Sequence, residues 1–197
     1  MNDTASGTAD PCELYLVTPV VSDVRSFLPV LERTLSLLRP SALRLRPEGD
    51  EAAQREIISL LCPKIQAHDV ALILEGPPAL ARSCGCDGVH VPASEVAAAR
   101  RAAGDNLQLG AFCADGRDDA MTAGEDGADY ISFSADKAML AWWRSVAELP
   151  GVAELPDFNP DDSAGLLKEL QACSDFIAVG GEALWSNPEK FLRLWGG

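Results

Sequence analysis

Two arginines spaced two apart, Arg44 and Arg46, stand in an otherwise apolar run that opens at Ala42. In an extended chain that spacing puts both on one side, and guanidinium groups at the interior or the exit of a sheet need anionic company. Glu75, Glu95 or a ligand phosphate would supply it; a solvated strand end is the plainer reading of the same pair. His90, one of two histidines, ends another apolar run, where an imidazole acts as a hydrogen-bonded interior group or as an acid/base. Lys137 follows a third run closely enough to reach the same end of a sheet, although a surface lysine at a helix start fits it equally. Gly180-Gly181 ends a fourth run ahead of a short helical pattern. Backbone N–H groups at such a turn form an anion site, and a tight turn with positive φ explains the pair as well.

Other chemistries find no support. No Ser/His/Asp or Cys/His order, no phosphate-binding Walker loop and no helical H-E-x-x-H occurs, so nucleophilic catalysis is not indicated. The formal charge of −14 argues against nucleic acid or an anionic membrane surface as a partner, because the summed field repels polyanions. Six cysteines at irregular spacings, with no export signal before them, fit reduced, mostly buried thiols in a cytoplasmic protein. Cys84-Gly85-Cys86 lacks the second cysteine pair or histidine cluster that zinc spacing requires. No stretch approaches the length of a membrane span, and residues 1–11 read as a disordered lead-in to one domain over 12–197.

The strands that carry these residues are marked by a repeated phrase: a small residue, an aspartate, then a short apolar run. It occurs at Cys86–Val91, Ala128–Phe133 and Ser174–Val179, with the aspartates 42 and 46 positions apart. That is about twice a compact strand-helix unit, so the phrase marks every second strand. A further step back reaches Ser41 and the run from Ala42 to Leu45. Between the copies lie Leu14–Val17, Val70–Leu74, Leu107–Phe112 and Val152–Leu155, which brings the strands to eight. Helical patterns alternate with them, among them Val24–Leu38, Glu51–Ala67, Ser94–Ala103 with Ser94 as cap, and Pro188–Trp195 behind Asn187. Strands rich in Val, Ile and Leu at nearly every position imply burial on both faces. Eight such units predict a closed (β/α)8 barrel, the TIM barrel. The rival is a doubly wound open sheet, disfavoured because the first unit has no dinucleotide fingerprint. Within this frame Tyr130 and Phe133 are expected in the core. Of the Trp142-Trp143 pair, one indole is expected to pack and the other to stay partly exposed, where a homo-oligomer interface is one reading.

Read in order, Glu13–Pro19 (ELYLVTP), Leu43–Arg46 (LRLR), Cys86–Val91 (CDGVHV), Leu109-Gly110, Gly127–Ile131 (GADYI) and Asp175–Gly180 (DFIAVG) resemble the thiamine phosphate synthase family, which includes related thiazole tautomerases. The resemblance covers nearly the whole chain. It implies a (β/α)8 barrel that joins hydroxymethylpyrimidine pyrophosphate to a thiazole phosphate, expelling pyrophosphate with Mg²⁺ assistance, by positioning and charge stabilisation. It also implies roles: Arg46, Lys137 and Glu95 as catalytic groups, Glu95 as metal carboxylate, and Arg44, Glu75, His90, Gly180 and Gly181 around a small phosphorylated ligand.

The chain departs from the family pattern at the ends of its strands. The family's Gln-x-Arg-x-Lys aligns with Arg44, Arg46 and Glu48, reversing a charge. Its Asn-Asp pair after strand three aligns with Glu75-Gly76, and its Gly-Gln-x-Asp after strand four with Pro92–Glu95. Its serine in strand five aligns with Phe112, a tautomerase histidine with Ala114, and a Gly-Gly cradle after strand seven with Glu154–Phe158. Two further readings follow: a non-catalytic relative binding a small molecule or a protein, and an enzyme of another kind using Glu75, Glu95 and His90 as acid/base groups.

Overall fold

The computed structural model describes residues 11–196; the lead-in up to residue 10 lies outside the described residues. Eight strands, all parallel, close into a barrel in sequence order, with β8 hydrogen-bonded back to β1. The first half comprises β1 (Glu13–Val21), α1 (Val24–Leu38), β2 (Ala42–Pro47), α2 (Glu51–Gln66), β3 (Ala71–Glu75), α3 (Pro78–Cys84), β4 (Gly88–Pro92) and α4 (Val96–Ala103). The second half comprises β5 (Gln108–Phe112), α5 (Arg117–Glu125), β6 (Tyr130–Ser134), α6 (Lys137–Val146), β7 (Gly151–Leu155), α7 (Ala164–Gln171), β8 (Phe176–Val179), α8 (Glu182–Ser186) and α9 (Pro188–Trp195). The expected eight-stranded barrel is therefore what forms.

Helix ends follow local chemistry. Asp23, Asp50 and Asp136 accept hydrogen bonds from the first free backbone N–H groups of α1, α2 and α6, and Asn187 does the same for α9 behind its N-terminal Pro188. Ser94 is a correction. It falls inside a single 3-10 turn, Ala93–Glu95, and α4 begins only at Val96 without a side-chain cap. β1 is also longer than its apolar run. It continues through a register break between Val17 and Val20, where the Thr18 hydroxyl accepts from the Arg46 N–H at 3.1 Å.

The repeated aspartates have a common structural job. Asp87, Asp129 and Asp175 each stand at the entrance of an even-numbered strand and accept a backbone N–H from the start of the odd-numbered strand before it. The donors are Leu72 at 2.7 Å, Leu109 at 2.7 Å and Gly151 at 2.8 Å. A side chain from the helix that leads into the odd-numbered strand completes each clamp: Gln66 on α2, Arg100 on α4 and Arg144 on α6. Each carboxylate thus satisfies a strand N–H that has no sheet partner below it, which is why the phrase recurs at every second strand. In the first unit the roles are exchanged, the Ser41 hydroxyl donating to the Glu13 carboxylate.

Alternation along each strand divides the core in two. Leu14, Leu16, Leu43, Leu45, Leu72 and Leu74 face the helices in the larger cluster, while Tyr15, Val17, Ile73, Tyr130, Val152 and Ala178 fill the barrel interior. Phe133 packs outward on Trp143, which is buried, and Trp142 is half-buried with the Arg117 guanidinium over its ring.

Candidate functional site

Interior positions near the C-terminal ends of the strands carry polar groups instead of the aliphatic layer usual in such barrels. β2 delivers Arg44, 5% exposed, and β7 delivers Glu154, 9% exposed. Arg44 Nη2 lies 2.5 Å from Glu154 Oε2, and its guanidinium carbon sits 5.6 Å from the centre of the Tyr15 ring. Two residues further along β2, Arg46 Nε approaches Glu75 Oε1 at 3.3 Å, while Glu75 Oε2 lies 3.6 Å from Arg44 Nε. The two arginines are therefore matched by two carboxylates within the fold. Burial is the largest single effect and works against the Arg44 charge, but Glu154 together with Tyr15 and Tyr130 outweighs it and holds the guanidinium's pKa above its usual value.

His90 stands beside this pair. Its Nδ1 is 3.1 Å from the Tyr130 hydroxyl, which is 2.9 Å from the Tyr15 hydroxyl; its Nε2 is 3.4 Å from Ser132 Oγ and 3.8 Å from Glu154 Oε1. Burial, reinforced by the Arg44 charge, drives its pKa well below the ordinary imidazole value, so the ring is neutral at pH 7. Burial likewise raises both phenols, which stay protonated. A neutral ring with Tyr130 as donor to Nδ1 carries its proton on Nε2, facing Ser132 and Glu154. Gly110 makes room for this arrangement, because a Cβ there would lie 2.0 Å from the Tyr130 ring.

Above these groups the barrel opens into a cavity of about 330 Å³ lined by Val17, Arg46, Glu75, Phe112, Glu154 and Pro156. Phe112, 41% exposed, presents an aromatic edge at its rim. Arg44, Arg46, Glu75 and His90 are brought together here. Glu95 stands aside: it is exposed on the 3-10 turn after β4 and lines a neighbouring groove that shares Glu75 and His90 with the cavity. Lys137 is directed elsewhere, its Nζ 3.2 Å from Glu169 on α7, and it does not line the cavity.

Gly180-Gly181 forms a turn with Gly181 at φ 97°, and the loop after β7 packs directly on it. A Cβ on Gly180 would lie 2.8 Å from the Pro156 carbonyl, one on Gly181 would lie 3.0 Å from Phe158 N, and Phe158 N donates to Gly180 O at 3.2 Å. The glycines thus serve the close approach of Pro156–Phe158, which brings Asp157 Cα to 3.2 Å from where a Gly181 Cβ would lie.

A divalent cation is a poor fit to these donors. Glu75 is engaged by both arginines, Glu154 by Arg44, and Glu95 stands alone; among the described residues no three His, Cys, Asp or Glu side chains converge as ligands.

The residues missed from sequence were Glu154, Tyr15, Tyr130, Ser132 and Phe112. For Glu154 the signal was present: an acid inside a five-residue apolar strand must be paired when it points inward.

A closed parallel barrel with a polar cluster at the C-terminal strand ends is a (β/α)8 protein of the kind whose ligand sites lie at the mouth. The sequence profile described as thiamine monophosphate synthase matches residues 14–138. The thiamine-phosphate synthase of Rhodospirillum centenum is 39% identical over 194 residues, covering 90% of this chain and 91% of the relative. That of Erythrobacter litoralis is 37% identical over 207 residues, covering 93% and 92%. The chain belongs to the thiamine phosphate synthase family. A thiamine phosphate pyrophosphorylase from Pyrococcus furiosus shares the fold, with TM-score 0.74 at 20% identity over 93% of this chain and 95% of that one. Among the described residues no helix is long and apolar enough to cross a membrane.

Proposed function

We propose that this family member holds a small uncharged ring compound at the barrel mouth and does not run the pyrophosphate-expelling coupling. The observation that carries this reading is the internal pairing of Arg44 with Glu154 and of Arg46 with Glu75. A polyphosphate entering here would have to displace two carboxylates held on fixed strands, Glu75 and Glu154. The cavity suits a flat neutral guest: Phe112, Val17, Pro92 and Pro156 provide apolar contact, with polar groups at the base for orientation. We place the protein in the cytoplasm, where its six free thiols remain reduced.

A second reading, retained coupling, is favoured by the 39% identity to a relative named as a thiamine-phosphate synthase. Equilibrium binding separates the two. Thermal unfolding with inorganic pyrophosphate, a thiazole phosphate and unphosphorylated hydroxymethylpyrimidine in turn is expected to show stabilisation by the last alone, about 2.7 kcal/mol at 100 times its dissociation constant. Stabilisation by pyrophosphate, with the uncharged ring inert, would sink the proposal.

A further inference from the structure

A second cavity, of about 150 Å³, lies at the opposite, N-terminal end of the barrel. The interior there is normally closed by packed side chains. Here Ala42 contributes little volume, and the space is walled by Ile73, Val152 and Phe176 under a ceiling of Tyr15 and Tyr130, whose rings meet edge to face at 6.1 Å. Ala42 and Phe176 pack on the interior cluster yet are only half-buried, and the exposed Gln108 and Asp129 stand at the rim. The cavity therefore communicates with solvent, and a guest can enter without unfolding.

Its walls offer water little. Both phenol hydroxyls are engaged, Tyr15 with Tyr130 and Tyr130 with His90, and at the exposed rim Asp129 Oδ2 accepts from Leu109 N–H and Arg100. Among the described residues, the buried side-chain polar atoms that lack a partner belong to Thr34, Arg44 and Glu154, none of which lines this space. Away from the polar rim a water would find too few of the two to four polar partners it needs, and an apolar space of about this size accepts a benzene-sized guest. Three aromatic side chains add edge and face contacts for a ring. We infer that the N-terminal end of the barrel is a ligand site for a neutral, monocyclic aromatic compound, separate from the mouth.

The test is a benzene titration of the full chain labelled at isoleucine methyls, with thermal unfolding in parallel. The Ile73 δ1 methyl is expected to shift saturably, and the midpoint to rise by about 3–6 °C at ten times the dissociation constant. Ala42→Leu, which fills the space, should abolish both responses; should that variant not fold, Ala42→Val should weaken binding at least several-fold. No shift at Ile73 up to the solubility of benzene, or an undiminished response in the filled variant, overturns the inference.

Discussion

Replacing Glu154 with leucine is expected to destabilise the protein by about 3–5 kcal/mol, the usual penalty for leaving a buried charge without its partner. Arg44 is 5% exposed and cannot turn to solvent, and its other carboxylate neighbour lies 3.6 Å away. Arg44→Met should cause a loss of the same order by isolating Glu154. The double variant Arg44→Met/Glu154→Leu removes both charges and keeps similar volume, so it should return to within about 1–2 kcal/mol of the parent, as buried pairs replaced by apolar residues commonly do. Urea unfolding followed by tryptophan fluorescence measures all three. If the two single losses simply add in the double variant, the pair is not the self-contained unit described above, and the case for a neutralised mouth weakens with it.

Gly110→Ala is the second large effect. The added methyl would lie 2.0 Å from Tyr130 Cζ, so the ring must leave its place and with it the hydrogen bonds to Tyr15 and His90. Overpacking costs about 1–3 kcal/mol, and each buried polar group left unpaired adds about 1–3 more. A loss near 4 kcal/mol or above is therefore expected by the same unfolding measurement. Gly165→Ala in α7 serves as the control, since a Cβ there meets nothing within 4 Å, and a slight gain of about 0.5 kcal/mol is expected. A Gly110 variant as stable as the control would mean that the tyrosine–histidine chain does not occupy the interior as described.

The barrel was legible because periodicity and punctuation agree at every level. Apolar runs of strand length alternate with helical stripes, and Asp87, Asp129 and Asp175 recur because each clamps the foot of the neighbouring strand. The shared side of Arg44 and Arg46 was legible as well, since spacing within a strand fixes the side on which a residue points. What no local pattern announces is the partner across the barrel. Glu154 reaches Arg44 from 110 positions away, and Tyr130 reaches His90 from 40. Lys137 shows the converse. Its position at the start of α6 allowed it to turn inward, but Glu169 on the adjacent helix draws it outward. The Gly180-Gly181 turn has the form of a phosphate cradle, and only the path of Pro156–Phe158 shows that another loop occupies it.

On the proposed reading, family membership and family chemistry separate at the strand ends, where Glu75 and Glu154 hold the two arginines. Incubating the protein with hydroxymethylpyrimidine pyrophosphate, a thiazole phosphate and Mg²⁺ while following pyrophosphate release tests this most directly. Release indistinguishable from buffer is predicted. Sustained release that saturates with both substrates, and disappears in Arg46→Ala, would contradict it.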